Sequence, residues 1–459
     1  MGTLHVYAGD DLYSQIQTLG PADVVVVHAG TYTTPGFYEV TWAGTADAPI
    51  RIEVAQGDHV VLQGQPDQNV INITGAYFTL DGFEITGGSH GLRLRTVSNA
   101  TISNNQIHGL GDVGISCNFE ENCDQITIRH NEIFDTGHAG TGEGMYLGCN
   151  DGSCRLTNSV IANNYVHDIG GSQGDGIEIK TSSYGNIVID NVIVRSNYPG
   201  ITMYGFNGSH PLNVITRNLV WHAKADNGIQ VAGQITVTNN VVIDSAANGI
   251  QSKATAGVTT TDVAIAYNTV IGAGATCLKM NDWAGGTNEL LENNAVYCDG
   301  GSAIDINGGS APGAKLAGNI GLGTSNGATL GAGGSVAADF VGAMAGNAYP
   351  APGSPLIDTA STSYPVTEDF NATPRSGALD VGAYEVTGAT NPGWIPVEGF
   401  KDPLPVDSGD VTVNVGGSEW GNDVNHPPSS GGCCDANGDQ PRGSAILIAL
   451  VALVLRRRS

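Results

Sequence analysis

Ile187-Val-Ile-Asp-Asn191-Val-Ile-Val-Arg-Ser-Asn-Tyr-Pro-Gly200-Ile-Thr-Met-Tyr204 decides the fold. It holds three apolar runs too short for helices, the first two divided by one Asp-Asn bend and the third reached through a loop ending in glycine. The same order recurs along the chain. Asparagine returns at Asn105, Asn131, Asn164, Asn191, Asn218, Asn240, Asn268 and Asn294, at successive offsets between 22 and 33. The glycine-led run returns at Gly91-Leu, Gly114-Ile, Gly144-Met, Gly176-Ile, Gly200-Ile, Gly228-Ile and Gly249-Ile, with looser continuations at Leu278 and Ile304. A third run precedes each Asn, as in Ile126-Thr-Ile128, Ile235-Thr-Val237 and Val263-Ala-Ile265. Three short strands cannot bury an apolar face alone, whereas parallel stacking at about 4.8 Å builds a continuous core and satisfies the backbone. The repeat therefore predicts an all-β, right-handed parallel β-helix with three strands per coil and about 9–11 coils. Asparagine at the bend suits a left-handed backbone, and stacked copies can hydrogen-bond along the axis. Propellers would need about forty residues and four strands per unit.

Asp11-Leu12-Tyr-Ser-Gln-Ile16-Gln-Thr-Leu19 sets an Asp N-cap before apolar residues at helical spacing, which predicts a capping helix within residues 1–23. The β-helix is expected over 24–340. Segment 341–387 carries Pro352-Gly-Ser-Pro-Leu-Ile-Asp358 and Asp369-Phe-Asn-Ala-Thr-Pro-Arg375 through Asp380-Val-Gly-Ala-Tyr-Glu385. It resembles the closing segment of many bacterial β-helix surface proteins. A Pro/Gly/Asp-rich linker is expected over 388–432. Residues 433–459 join Cys433-Cys434 to the apolar run Gly443–Leu455 and Arg456-Arg457-Arg458, a run shorter than the ~20 residues that span a bilayer. This tail resembles the sorting signals of myxobacterial surface proteins. The resemblance implies a body outside the cytoplasm, associated with the envelope through its tail. No basic, apolar leader precedes Thr3-Leu4-His5-Val6.

Glycine is abundant, with 66 residues, and charged residues make up only 14%, as short strands with many turns require. Lys plus Arg total 18 against 44 Asp plus Glu, a net charge of −26 that repels phosphate backbones and excludes nucleic acid as a partner. An acidic polysaccharide would be repelled too unless a basic patch or bound cations offset the field, which makes Ca²⁺ the expected accessory. Six of eight cysteines lie in the body, at 117, 123, 149, 154, 277 and 298, and suggest disulfides formed in an oxidising compartment. Local pairing (117 with 123, 149 with 154) and cross-coil pairing (117 with 149, 123 with 154) both fit the offsets. The chain is read as a monomer.

Strand alternation places the residue after each Ile, and the one two further on, on the outer face. One outward column reads Arg93, Ser116, Tyr146, Glu178, Thr202, Gln230, Gln251, Lys279, Asp305. Beside it run Arg95, Asn118, Gly148, Lys180, Tyr204, Ala232, Lys253, Asn281, Asn307. Charge and aromatics concentrate here in a chain poor in both, so this face is the candidate sugar-binding groove, with Arg93, Arg95, Glu178, Lys253 and Lys279 as candidate substrate contacts. Two coils align as Asp135-Thr-Gly-His138…Glu143-Gly-Met-Tyr146 and Asp168-Ile-Gly-Gly171…Asp175-Gly-Ile-Glu178-Ile-Lys180. In register, Glu143 sits over Asp175 and Asp135 over Asp168, and stacked carboxylates repel unless a cation or proton lies between them. Glu143, Asp175 and Glu178 are thus the candidate Ca²⁺ ligands. Asp168 can instead pair with Arg195.

β-Elimination on a polyuronate needs a base for the proton beside the carboxyl, a cation on that carboxylate and an acid for the leaving oxygen. Lys180 is the candidate base, with Tyr146 or Tyr204 as proton donor. The coil Asp175-Gly-Ile-Glu178-Ile-Lys180-Thr-Ser-Ser is similar to the carboxylate-plus-lysine coil of β-helix polysaccharide lyases acting on alginate and dermatan sulfate, and more distantly to pectate lyases. The resemblance implies Lys180 as base and Asp175 as Ca²⁺ ligand. Those lyases place an arginine on the following coil where this chain has Tyr204, and their second ligand falls near Gln173. A glycoside hydrolase would use paired carboxylates, which Asp175 and Glu178 fit loosely. A non-catalytic surface protein that binds glycans or mediates adhesion is the alternative.

Overall fold

The computed structural model describes residues 2–119 and 121–401. The expected tail at 433–459 and all but the first residues of the expected linker lie outside them. Among the described residues no helix is long and apolar enough to cross a membrane.

Three parallel sheets wind around one core as a right-handed solenoid of about 12 turns. The first, called here the groove sheet, stacks Ile115–Cys117, Met145–Leu147, Ile177–Ile179, Ile201–Tyr204, Ile229–Ala232 and Ile250–Ser252 in register. The second precedes the asparagines and includes Ile187–Ile189, Asn213–Thr216 and Ile235–Thr238. The third follows them and includes Tyr165–His167, Val192–Val194, Leu219–Trp221 and Val241–Ser245. Inward residues such as Ile177, Ile179, Ile201 and Ile229 are fully buried. There are more turns than the asparagine repeat indicates because the coils before residue 78 close without Asn. Winding starts within the segment read as a cap, where Leu4–Val6 pairs with Val24–Val27. Helix α1 (Leu12–Ile16) takes the place of one strand there, its N-cap Asp11 accepting from Ser14 N at 3.1 Å. It covers the open end of the core with Leu12, Tyr13 and Ile16.

The asparagines form an axial ladder. Each amide donates Nδ2–H and its backbone N–H to Oδ1 of the Asn one coil on, at 2.9–3.1 Å, from Asn105 to Asn294 and on to Asn319, which the repeat reading had not included. The left-handed backbone sits elsewhere than expected. It is the residue before each ladder Asn from Asn105 to Asn294, namely Asn104, His130, Asn163, Asp190, Arg217, Asn239, Tyr267 and Asn293, that has φ between 53 and 58°, and Gly318 before Asn319 has φ 64°. The bend thus falls one position earlier and leaves the ladder side chains pointing inward.

Beyond the last coil the chain turns back. Residues 340–401 run along the outside of the third sheet as a strap opened by an antiparallel hairpin, Phe340–Gly342 with Asn347–Pro350. Phe340, Tyr349, Leu356, Phe370, Val381 and Tyr384 pack on Tyr165, Val192, Val194, Leu219, Val241, Ile243 and Ile271. Residues 388–401, read as the start of the linker, belong to this layer. Phe400 stacks on His130 at 4.3 Å, and Lys401 is buried, donating to Arg217 O and Phe370 O at 2.7 Å and pairing with Asp190 at 2.8 Å. The expected closing segment therefore clasps the side of the solenoid.

Candidate active-site groove

The register of the groove sheet aligns the outward column as read from the sequence: Arg93 pairs with Ser116, Ser116 with Tyr146, Tyr146 with Glu178, Glu178 with Thr202, and Thr202 with Gln230. Gly144 N donates to Asp175 O, which sets Glu143 directly over Asp175. At the centre are outward side chains that are nevertheless buried: Glu143 is 0% exposed, Asp175 2%, Lys180 4% and Glu178 5%. They lie side by side on the outward face of the groove sheet.

Lys180 Nζ donates to Glu178 Oε1. It lies 4.6 Å from the Tyr146 ring centroid and 5.8 Å from that of Tyr204, so two aromatic faces flank the ammonium. Gly148, at φ +95°, makes room above it, since a Cβ there would stand 3.2 Å from Lys180 Cβ. Thr202 donates to Asp175 Oδ1 at 2.5 Å, and Gln230 Nε2 donates to the Tyr204 hydroxyl at 2.5 Å. Burial pushes all three carboxyls up, and the Glu178 charge adds to it for the other two: Glu143 reaches about 7, with that charge as the second cause. Asp175 is raised well above the ordinary range by burial and then by Glu178, and Glu178 is raised by burial against the opposing pull of Lys180. Burial likewise raises Tyr146 and Tyr204, keeping both phenols protonated at neutral pH.

The donor chemistry suits a hard cation, because the groups are carboxylates and Glu143 Oε1 is a buried acceptor with no hydrogen-bond partner among the described residues. Among the described residues, however, no three His, Cys, Asp or Glu side chains are arranged as a metal-binding group. A Ca²⁺ ion would have to draw Glu143 and Asp175 together. Asp135 and Asp168 stay apart from the cluster: Asp168 takes two hydrogen bonds from Arg195 at 2.8 Å, and Asp135 meets His138 at 3.1 Å. Lys253 and Lys279 lie three and four rungs beyond Lys180, and Lys279 is engaged by Asp305. Gln173 is exposed.

Sequence reading missed the supporting shell. Asp112 accepts from Gly142 N at 3.0 Å and from Thr141, which also donates to Glu143 at 3.3 Å. His90 contacts both Ser116 at 2.9 Å and Asp112 at 3.5 Å, and holds the Asp112 carboxyl below its usual range. These residues lie off the alternating strand positions, so periodicity gave no signal for them. The cysteines pair locally, Cys117 with Cys123 and Cys149 with Cys154, closing two loops that leave the groove sheet beside the cluster, while Cys277 joins Cys298.

Fold and outward column together describe a right-handed parallel β-helix with a strip of polar and charged side chains along one sheet. The model of the right-handed β-helix region matches residues 52–210. Among solved structures, XylC in complex with xylose overlays with a TM-score of 0.61 at 10% identity, covering 84% of this chain and 98% of that one. Alginate lyase from Paenibacillus sp. str. FPU-7 gives 0.48 at 21% identity, covering 61% and 95%. The A-module of the Azotobacter vinelandii mannuronan C-5 epimerase AlgE6 gives 0.48 at 15%, covering 67% and 86%. At these identities the likeness is one of fold. No curated protein sequence matches the chain.

Proposed function

We propose that this protein acts on an acidic polysaccharide and cleaves it by β-elimination in the groove. The observation that carries the reading is the buried lysine between two protonated tyrosines, set against three crowded carboxyls on one outward face. Lys180 Nζ takes the proton from the carbon next to the substrate carboxyl. Glu178, whose proton affinity burial raises, receives the proton that Lys180 must first lose. As the carbon–hydrogen pair becomes the new double bond, the bond to the glycosidic oxygen breaks. Tyr204, whose oxygen already accepts from Gln230, gives its own proton to that leaving oxygen. Tyr146 stacks over Lys180 from the other side and keeps water from the amine. When bound, Ca²⁺ held by Glu143 and Asp175 would neutralise the substrate carboxylate and acidify the neighbouring proton, leaving Glu178 to hold the proton from Lys180. The fold shared with XylC, solved with xylose, is consistent with a sugar in this cleft. Three disulfides support a place outside the reducing cytoplasm, and the envelope-anchored location read from the tail belongs to the same proposal.

Polyuronates incubated with the protein should develop the ultraviolet absorbance of an unsaturated uronate, with and without added Ca²⁺ compared. Lys180→Ala should lower that rate by on the order of 10²–10⁴-fold, and Tyr204→Phe by a smaller factor, with thermal unfolding still cooperative. If no unsaturated product forms from any acidic polysaccharide while the glycan is still retained by wild type and Lys180→Ala alike, the groove binds without cutting.

A further inference from the structure

Three rungs from Lys180, the groove carries two guanidinium groups on one aromatic ring. Arg93 lies 5.0 Å and Arg95 4.4 Å from the centroid of Phe119. Two like charges on one ring are unexpected in a chain with a net charge of −26. Their surroundings differ. Arg95 is neutralised by Glu39 at 2.5 Å, whereas the hydrogen bond made by Arg93 goes to a neutral acceptor, Asn118 Oδ1, at 3.1 Å. Its Nε is buried and has no hydrogen-bond partner among the described residues. Burial and the neighbouring Arg95 disfavour the Arg93 charge by more than the nearby Asp112 favours it, so the site gains when an anion arrives. Phe119 is held over the pair by a short loop whose ends, Cys117 and Cys123, are joined by a disulfide. The ring is 44% exposed, so its outer side is open to a ligand.

We propose that Arg93, with Phe119 beside it, is a subsite for the anionic group of a sugar residue distant from the bond being broken. Registered pairing from Arg93 through Ser116 and Tyr146 to Glu178 sets the separation at three rungs, roughly 14 Å at the parallel-strand spacing. A pyranose repeat in an extended glycan is close to one rung in length. The bound chain therefore runs along the solenoid axis, with its third residue from the reaction centre placed at Arg93. Glu39 neutralises Arg95, which leaves Arg93 as the guanidinium that meets the ligand.

This subsite rests on the groove being the substrate cleft, and binding is measured apart from cleavage so that the two ideas fail separately. The probes are oligoguluronate and oligomannuronate of two to six residues, chondroitin sulfate oligosaccharides of the same lengths, and neutral xylo-oligosaccharides, titrated calorimetrically into Lys180→Ala and into Lys180→Ala/Arg93→Gln. The expected result is a rise of at least tenfold in affinity for an anionic series once the oligomer is long enough to reach Arg93, absent for the neutral series and abolished by Arg93→Gln. Phe119→Ala should reduce the step without removing it. The uronate and sulfate series tell which anion fits. Equal affinity of the two backgrounds for every anionic oligomer, or a length step that survives Arg93→Gln, would overturn the subsite whether or not the wild-type protein cleaves. Binding with the expected step but no unsaturated product would leave the subsite standing and remove the lyase.

Discussion

Glu143 is a carboxyl with no exposed surface, no partner for one oxygen among the described residues, and a second carboxyl one rung away. Its value of about 7 in the fold lies above its ordinary 4.5, so the folded chain binds this proton more tightly than the unfolded chain. The stability that follows is present below about pH 4.5 and lost as the pH rises through about 7. Glu143→Gln keeps the shape and removes the ionisation. It should raise the melting temperature clearly at pH 8 and hardly at pH 5, with the gain at high pH bounded by about 3 kcal/mol. Thermal melts of both proteins across that range decide it, and a pH-independent difference would mean that Glu143 is not the group being ionised. If Ca²⁺ occupies the cluster, the ion should stabilise wild type above pH 7 and have less effect on Glu143→Gln. The residues of this cluster were legible in the sequence because strand alternation and coil register suffice to align Glu143, Tyr146, Asp175, Glu178, Lys180 and Tyr204. His90, Asp112 and Thr141 were not, since the loops that carry them have no period. Phe119 was hidden for the same reason, and its ring is placed by a disulfide whose pairing the offsets left open.

The asparagine ladder is the element that fixes that register. Asn191 donates to Asn218 Oδ1 and to the carbonyls of Ile161 and Ile189, and it accepts from Asn164. Replacing it with Ala strands buried donors and acceptors on both neighbouring coils. A loss on the order of 3 kcal/mol is expected in urea denaturation, several times that of an exposed polar residue such as Gln173. The ladder was the clearest sequence signal because a side chain that bonds to its own copy must recur at the same point of every coil. The left-handed bend was misplaced by one residue since the position that adopts it is filled by Asn, His, Asp, Arg and Tyr in turn, with no shared chemistry to mark it.

At the scale of the whole molecule, two layers stabilise each other: the solenoid and the strap on its third sheet. Asp190 lies between Arg217 at 2.5 Å and Lys401 of the strap at 2.8 Å, all three largely buried. Arg375 is buried further along it, bonded to Asn239 and Gly382 and paired with Glu385. Asp190→Asn leaves the buried Lys401 without its counter-charge and takes one of the two carboxylates from Arg217, which keeps Glu368 at 2.9 Å, and should cost about 3–5 kcal/mol. Limited proteolysis should then cut within 388–401 well before the coils, whereas simultaneous loss of strap and coils would show that the two layers unfold as one. The strap escaped sequence reading because its apolar residues, Phe370, Val381 and Tyr384 among them, have no repeat and match a terminal plug as well as a lateral clasp.

Neighbouring ladder asparagines are separated by anything from 22 to 33 residues, yet the amides meet at the same distance throughout. Length variation is thereby exported to the rims, where the loops bearing Phe119 and Asp112 sit. Such a scaffold tolerates exchange or lengthening of those rims, because the axial contacts that hold the floor carrying Lys180 in register do not depend on them.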